Sequence, residues 1–184
     1  MKYQRSPERG LCLLTSFAMA LDTSTEDLLA EIGDSWKILA FKDLPVPYCW
    51  RGVHIQEMIK IALQRGYAVT PIELIPQVSP PRPLNPITNR RYNDVPVYHG
   101  ASEKNNWRIF RQTIMSCSGI ITGSIAPSLS TLIKRGHAVA FDKGTIYDPD
   151  TEAYLYSTTQ CEIRNFYANC VWRVDKIEVT NECV

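Results

Sequence analysis

The chain has 184 residues, of which 45% are hydrophobic and 21% are charged. This length and composition are typical of one soluble globular domain with a sizeable core. A formal net charge of +1 gives no indication of a nucleic-acid-binding surface, and the lack of a run of about 18 apolar residues excludes a membrane-spanning helix.

The first strong signal is the stretch from Glu8 to Leu21, which is apolar almost all the way round a helix. A helix of this kind is typical of a buried central element. Cys12 lies where this helix begins, and the positive end of a helix favours the thiolate form of cysteine, which is the nucleophile. Because a lone cysteine in an apolar helix is more often a packing residue, a catalytic interpretation depends on partners elsewhere in the chain.

A secretory signal is the other interpretation of this region. Basic residues precede the apolar run, which ends in the small-x-small pattern of Ala18 to Ala20. Glu8 interrupts the basic region, however, and Thr15 and Ser16 interrupt the apolar stretch. We therefore expect a cytoplasmic protein whose cysteines are mostly reduced. No Cys-x-x-Cys pair indicates a zinc or redox motif among Cys12, Cys49, Cys117, Cys161, Cys170 and Cys183.

Further elements follow in chain order. Ser24 and Gly33 predict the start and end of a short second helix. Apolar spacing from Ile55 to Ala62 predicts a third helix, which ends near Arg65, and a strand is expected over Tyr67 to Leu74. The prolines between Pro76 and Pro96 favour a surface loop or insertion over residues 76–100, within a single domain of residues 1–184.

The last part of the chain changes from helices to strands. We expect a helix over 107–117, a buried strand over 119–125 and a short helix over 127–135. Period-two alternation around Lys143 and Gly144 predicts a β-hairpin, and strands are expected over 170–174 and 177–180. Helices that precede strands in this way indicate an α+β fold.

The register of the hairpin brings three polar residues together. A two-residue turn pairs Phe141 with Ile146, which gathers the large apolar residues on one face. The same register places Asp150 opposite His137 and Asp148 on the diagonal, within reach of the imidazole. A carboxylate at either position can orient a histidine that acts as a base, although a strand-end histidine beside turn aspartates is also a common structural arrangement.

The remaining histidines are weaker candidates. His54 opens the third helix, where a capping or surface role is expected. His99 follows the proline-rich segment, where exposure to solvent is expected. No histidine or cysteine pair has the spacing of metal ligands, so we expect neither a metal nor a cofactor.

Taken together, the pattern resembles the papain-like cysteine peptidase superfamily, most of all the bacteriocin-processing (double-glycine leader) peptidases. The similar features are a glutamine upstream of a cysteine on an apolar helix, then Gly136-His137-Ala-Val and Ile146-Tyr147-Asp148-Pro149. The resemblance implies a papain-like fold, with the nucleophile at the start of a central helix packed on a C-terminal antiparallel sheet. It implies that Cys12 attacks, that His137 is base and acid, and that Asp148 orients the imidazole, with Asp150 the alternative acid. Gln4 and the backbone of Cys12 would form the oxyanion hole.

The function implied is a cysteine hydrolase that cleaves an amide or isopeptide bond in a peptide or protein substrate. The same triad serves deamidases, deconjugating enzymes and acyl transferases, and the fold does not choose among them. Members of the family usually carry a glycine after the cysteine, where this chain has Leu13. A papain-like binding module without activity is therefore the alternative.

Overall fold

The structure, a computed structural model, describes residues 1–8, 10–33, 52–78, 101–125, 135–156 and 166–178. These residues form four α-helices and one six-stranded antiparallel sheet, which confirms the predicted α+β class. The elements are α1 (Cys12–Ala20), α2 (Thr25–Ile32), α3 (Ile55–Gln64), β1 (Tyr67–Val78), α4 (Ala101–Ser116), β2 (Ser118–Ile125), β3 (Arg135–Asp142), β4 (Thr145–Tyr147), β5 (Ala153–Leu155) and β6 (Phe166–Lys176).

The first two helices form where the sequence predicts them. Every residue of α1 from Leu14 to Met19 is buried, as expected of a helix that is apolar on all sides. Ser24 accepts a hydrogen bond at 3.0 Å from the backbone N–H of Asp27 and so caps α2. Gly33 ends α2 with a φ of +68°, a conformation that favours glycine.

The proline-rich segment begins later than predicted. β1 continues through Pro76 to Val78, so the prediction of a loop is wrong for residues 76–78. A proline is tolerated there because β1 is an edge strand that pairs with β6, and the register shifts between Glu73 and Val78. Residues 79–100 of the predicted loop lie outside the described residues.

Several other boundaries also differ from the prediction. α4 begins at Ala101, earlier than the predicted start at residue 107. The predicted helix over 127–135 falls mostly outside the described residues, and its last residue opens β3. β6 is one continuous strand that ends at Lys176, and the N–H of Ile177 donates one further bond, at 2.8 Å, to the carbonyl of Gly66 opposite it. The predicted strand over 177–180 is therefore wrong at its start, and residues 179 and 180 are not described.

The sheet has the strand order β1-β6-β2-β3-β4-β5. Lys143 and Gly144 join β3 to β4 with φ values of +42° and +91°, the signs required by a tight hairpin turn. Phe141 pairs with Ile146 as predicted. The β3–β4 ladder ends at the pair of Ala140 and Tyr147, and the N–H of Asp148 bonds to the carbonyl of Glu152 on the β5 side. The predicted backbone pairing of Asp150 with His137 is therefore wrong.

Apolar side chains cover both faces of this sheet. On one face, α1, α2 and α3 pack against side chains of β2, β3 and β6, including Ile120, Ala138 and Val174. On the other face, Phe110 and Ile114 of α4 lie in a second cluster. In the part of the chain that is described, no helix has the length and apolar character needed to cross a membrane.

Candidate active site

Two glycines shape the chain where it enters α1. Gly10 has a φ of +98° and Gly52 a φ of +135°. A Cβ on Gly52 would lie 3.1 Å from the carbonyl oxygen of Gly10, closer than side chains usually pack. The close approach of these two backbone segments fixes the turn that leads into Cys12, the first residue of α1.

No side chain of the N-cap residue caps the first turn of α1. Leu11 occupies the N-cap position and supplies no side-chain hydrogen bond to the helix. The N–H groups of a first turn have no partners within the helix, and they carry the positive end of its dipole. Cys12, which is half-buried and not in a disulfide, therefore lies beside donors that can stabilise negative charge.

His137 lies near the start of β3 and connects the thiol to a carboxylate. Its Nε2 is 3.0 Å from Oδ1 of Asp148, and its imidazole lies close enough to Cys12 for that thiol to raise its pKa. The side chain of His137 is only 4% exposed. Cys12, His137 and Asp148, which are distant in the sequence, therefore meet in one contact.

The electrostatics of this contact favour a charged imidazole. Burial by itself would lower the pKa of His137, but the hydrogen bonds to Asp148 and Cys12 raise that pKa to about 10. Burial would likewise raise the pKa of Asp148, but the hydrogen bond and charge of His137 hold it below its ordinary value. The site is therefore arranged to hold an imidazolium beside a carboxylate.

Asp148 and Asp150 occupy different positions around the imidazole. Oδ1 of Asp148 also accepts the backbone N–H of Asp150 at 3.0 Å, so the carboxylate that bonds to Nε2 is itself held in place. The carboxylate of Asp150 lies 3.8 Å from Nδ1 and is 44% exposed. This geometry favours Asp148 over Asp150 as the residue that orients His137.

The structure does not bring Gln4 to the thiol. The amide nitrogen of Gln4 donates to the carbonyl of Thr23 at 2.6 Å, and its oxygen accepts from the N–H and hydroxyl of Thr25, both at 2.8 Å. The backbone N–H of Gln4 lies 3.2 Å from the sulfur of Met19. Met19 is about 10 Å along α1 from Cys12, because an α-helix rises 1.5 Å per residue. The predicted oxyanion role of Gln4 is thus corrected, because its amide joins the α1–α2 corner.

The sequence analysis missed a second function of the N-terminal segment. The N–H of Ser6 donates to the carbonyl of Pro149 at 2.9 Å, and the hydroxyl of Tyr3 donates to the carbonyl of Thr151 at 3.1 Å. These bonds hold the turn that carries Asp148. They join residues more than 140 positions apart through backbone carbonyls, and no local pattern in the sequence signals such contacts.

His54, the other histidine that the structure describes, does not join this site. His54 is exposed and forms the N-cap of α3, where its N–H donates to Glu57 at 3.0 Å. This agrees with its expected capping role. His99 lies outside the described residues. Over the ranges that the structure describes, no group of three or more His, Cys, Asp or Glu side chains is arranged to hold a metal ion.

Comparison with known proteins assigns neither a family nor a function to the chain. No protein-family model matches the chain, and a search of curated proteins finds no match. The functional interpretation therefore rests on the contact of Cys12, His137 and Asp148 and on the resemblance of the sequence motifs.

Proposed function

We propose that the protein is a cysteine hydrolase with a papain-like fold that cleaves an amide or isopeptide bond of a peptide or protein substrate. The observation that carries this proposal is one buried imidazole that bonds to Asp148 at 3.0 Å and lies close enough to Cys12 for the thiol to raise its pKa. A nucleophile beside a base, with the base oriented by a third group, is the arrangement used in nucleophilic catalysis. An α+β fold with the cysteine at the start of a buried helix also agrees with the sequence resemblance.

In the proposed reaction, Cys12 and His137 act as one unit. The thiol transfers its proton to the imidazole, and the thiolate attacks the carbonyl carbon of the substrate. The C–N bond then breaks as His137 gives its proton to the departing amine, which leaves a thioester on Cys12. Water, deprotonated by the same imidazole, hydrolyses the thioester and restores the thiol. Asp148 keeps its charge throughout and stabilises the imidazolium.

The oxyanion would be held by the backbone of α1. The N–H of Cys12 belongs to the uncapped first turn, whose donors lie beside the sulfur. One such donor is typically worth about 3–4 kcal/mol in the transition state. Since Gln4 bonds to Thr23 and Thr25, we do not assign it this role.

The distance of Gln4 from the thiol also supports the competing function, a binding module on the same scaffold. A decayed site would keep the fold and lose a side-chain donor. The triad contact argues against decay, because a histidine buried with a charge partner is costly to keep without a use. Reactivity of the thiol separates the two functions.

The test compares the wild type with Cys12→Ala on a library of peptides from a digested proteome. New chain termini, counted by mass spectrometry, should form with the wild type and be absent with the variant. Iodoacetamide should also alkylate Cys12 faster than Cys117, a second half-buried thiol. Equal alkylation of the two thiols together with no peptide cleavage would favour the binding module.

A further inference from the structure

The imidazole of His137 has a carboxylate at each of its two nitrogens. Asp148 lies 3.0 Å from Nε2 and is nearly buried, with 14% of its side chain exposed, whereas Asp150 lies 3.8 Å from Nδ1 and is 44% exposed. One carboxylate is enough to orient a catalytic imidazole. The proposed mechanism therefore leaves the carboxylate of Asp150 without a use.

The negative charges around this imidazole exceed its own positive charge. Asp148 and Asp150 are two carboxylates beside one imidazolium, which leaves these three groups with one negative charge in excess. Across the described ranges, no lysine or arginine lies within ion-pair distance of Asp150. A partly exposed carboxylate without such a neighbour attracts a cation from outside.

The carboxylate of Asp150 also lies on the reacting side of the imidazole. Because Nε2 is bonded to Asp148, Nδ1 is the nitrogen left to exchange a proton with the thiol and the departing amine. Asp150 is next to this nitrogen. A positive group on the departing part of a substrate would thus come close to Asp150, where the attraction of unlike charges is only partly screened by solvent.

We propose that Asp150 is a specificity residue that selects substrates with a positive charge next to the bond that is cleaved. This inference rests on the proposed function, since it requires a reactive Cys12. The substrate class is a peptide or protein with a lysine or arginine side chain, or a free amine, on the side of the departing amine. The backbone N–H of Asp150 fixes Asp148, whereas its side chain remains available to the substrate.

The test uses two methanethiosulfonate reagents that differ in charge, the cationic trimethylammonium-ethyl and the anionic sulfonatoethyl derivative. Each transfers its thioalkyl group to a thiolate and releases methanesulfinate. The rate at Cys12, followed by mass spectrometry and divided by the rate of the same reagent with the uncharged thiol 2-mercaptoethanol, gives a charge preference for each protein. Because general reactivity of the thiol affects both reagents alike, the ratio of the two rates reports on local charge.

In the wild type, the cationic reagent should modify Cys12 about tenfold faster than the anionic reagent, and the preference should fall as salt screens the charges. Asp150→Asn keeps the backbone N–H and should reduce the preference at least threefold, about the effect of one removed charge nearby. Glu26→Gln removes an equal charge from the exposed face of α2, and it should leave the charge preference at Cys12 unchanged.

The outcomes separate this inference from the proposed function. A fast Cys12 with the same charge preference in the wild type and Asp150→Asn overturns the specificity role and leaves the hydrolase intact. A Cys12 no faster than Cys117 with either reagent overturns both. A wild-type preference that does not respond to salt also contradicts a role for Asp150, and this measurement needs no variant.

Discussion

Cys12 and Cys117 are two half-buried free thiols at opposite kinds of helix end. Cys12 is the first residue of α1, whereas Cys117 follows Ser116, the last residue of α4. The N–H of Cys117 donates to the carbonyl of Thr113 at 2.9 Å, as residues at helix ends do. Cys12 therefore lies at the positive end of a helix dipole and Cys117 at the negative end of another.

The neighbours of the two thiols differ more than their exposure does. Cys12 lies beside His137, an imidazole whose pKa is raised to about 10 and which can accept and return a proton. Cys117 has the hydroxyl of Ser116 at 3.5 Å and the charge of Arg173 nearby, and a guanidinium is not deprotonated in proteins. Exposure alone thus does not identify a reactive thiol; helix polarity and a proton-exchanging partner do.

Replacing each cysteine in turn should give the largest expected difference in the rate of peptide cleavage. Cys12→Ala should reduce peptide cleavage by at least about 10³-fold, because the nucleophile is lost. Cys117→Ala should leave the cleavage rate within about twofold, as expected of a residue away from the chemistry. Rates on the peptide library, with circular dichroism to confirm folding, measure both. Comparable losses in the two variants would remove the distinction between the thiols.

Asp148 variants should show whether the imidazole is what separates Cys12 from Cys117. Asp148→Ala should lower the cleavage rate by about 10²–10⁴-fold, since nothing then orients His137. Asp148→Asn keeps an oxygen that accepts from Nε2 and should lose less, as in cysteine peptidases that use asparagine. Alkylation of Cys117 serves as the internal control and should not change. An equal loss in the alanine and asparagine variants would show that charge, not orientation, is what matters.

The same pair should make stability depend on pH. Because the folded pKa of His137 is raised to about 10, its contribution is full below the unfolded pKa of about 6.5 and is lost as pH rises through 10. The folded pKa of Asp148 is lowered, so its contribution is present above about pH 4 and is lost as pH falls further. The free energy of unfolding of the wild type should therefore exceed that of Asp148→Asn by the largest amount between about pH 4 and about pH 6.5.

Urea unfolding across this pH range measures the difference, which should reach about 1.5–3 kcal/mol, the usual value of a hydrogen bond to a charged group. Asp175→Asn is the control, because it breaks the exposed pair with Arg173 and should have little effect at any pH. A difference for Asp148→Asn that stayed constant with pH would mean that the imidazole at the site is not charged.

Much of this environment could be predicted from local patterns. Ser24 and Gly33 marked the ends of α2 because caps obey local backbone chemistry, and the turn at Lys143 and Gly144 set the pairing of Phe141 with Ile146. That register also predicts that Asp148 lies near His137. The contact of both with Cys12 was implied by resemblance, since spacing in one dimension does not place a helix against a strand.

The predictions that are wrong concern contacts between distant parts of the sequence or the position of a strand in the sheet. Pro76 was read as a loop residue because the sequence does not say that β1 is an edge strand, where a missing N–H is harmless. Gln4 is predicted at the site because the resemblance implies a glutamine upstream of the cysteine, although eight residues is a little farther than usual. Which end of α1 its amide meets depends on the path of residues 1–8, and that path is fixed by contacts with Thr25 and Pro149.

A small effect on catalysis is expected at Gln4, which lies at the end of α1 away from Cys12. Gln4→Ala should lower the free energy of unfolding by about 1–3 kcal/mol, because the carbonyl of Thr23 and the N–H of Thr25 lose partners. The rate of peptide cleavage should fall only a few-fold at a temperature where the variant is folded. An oxyanion donor would instead cost about 10²–10³-fold in rate. A loss of that size with stability unchanged would place the amide of Gln4 beside Cys12 during the reaction. Gln4 would then be one of the features that distinguish Cys12 from Cys117.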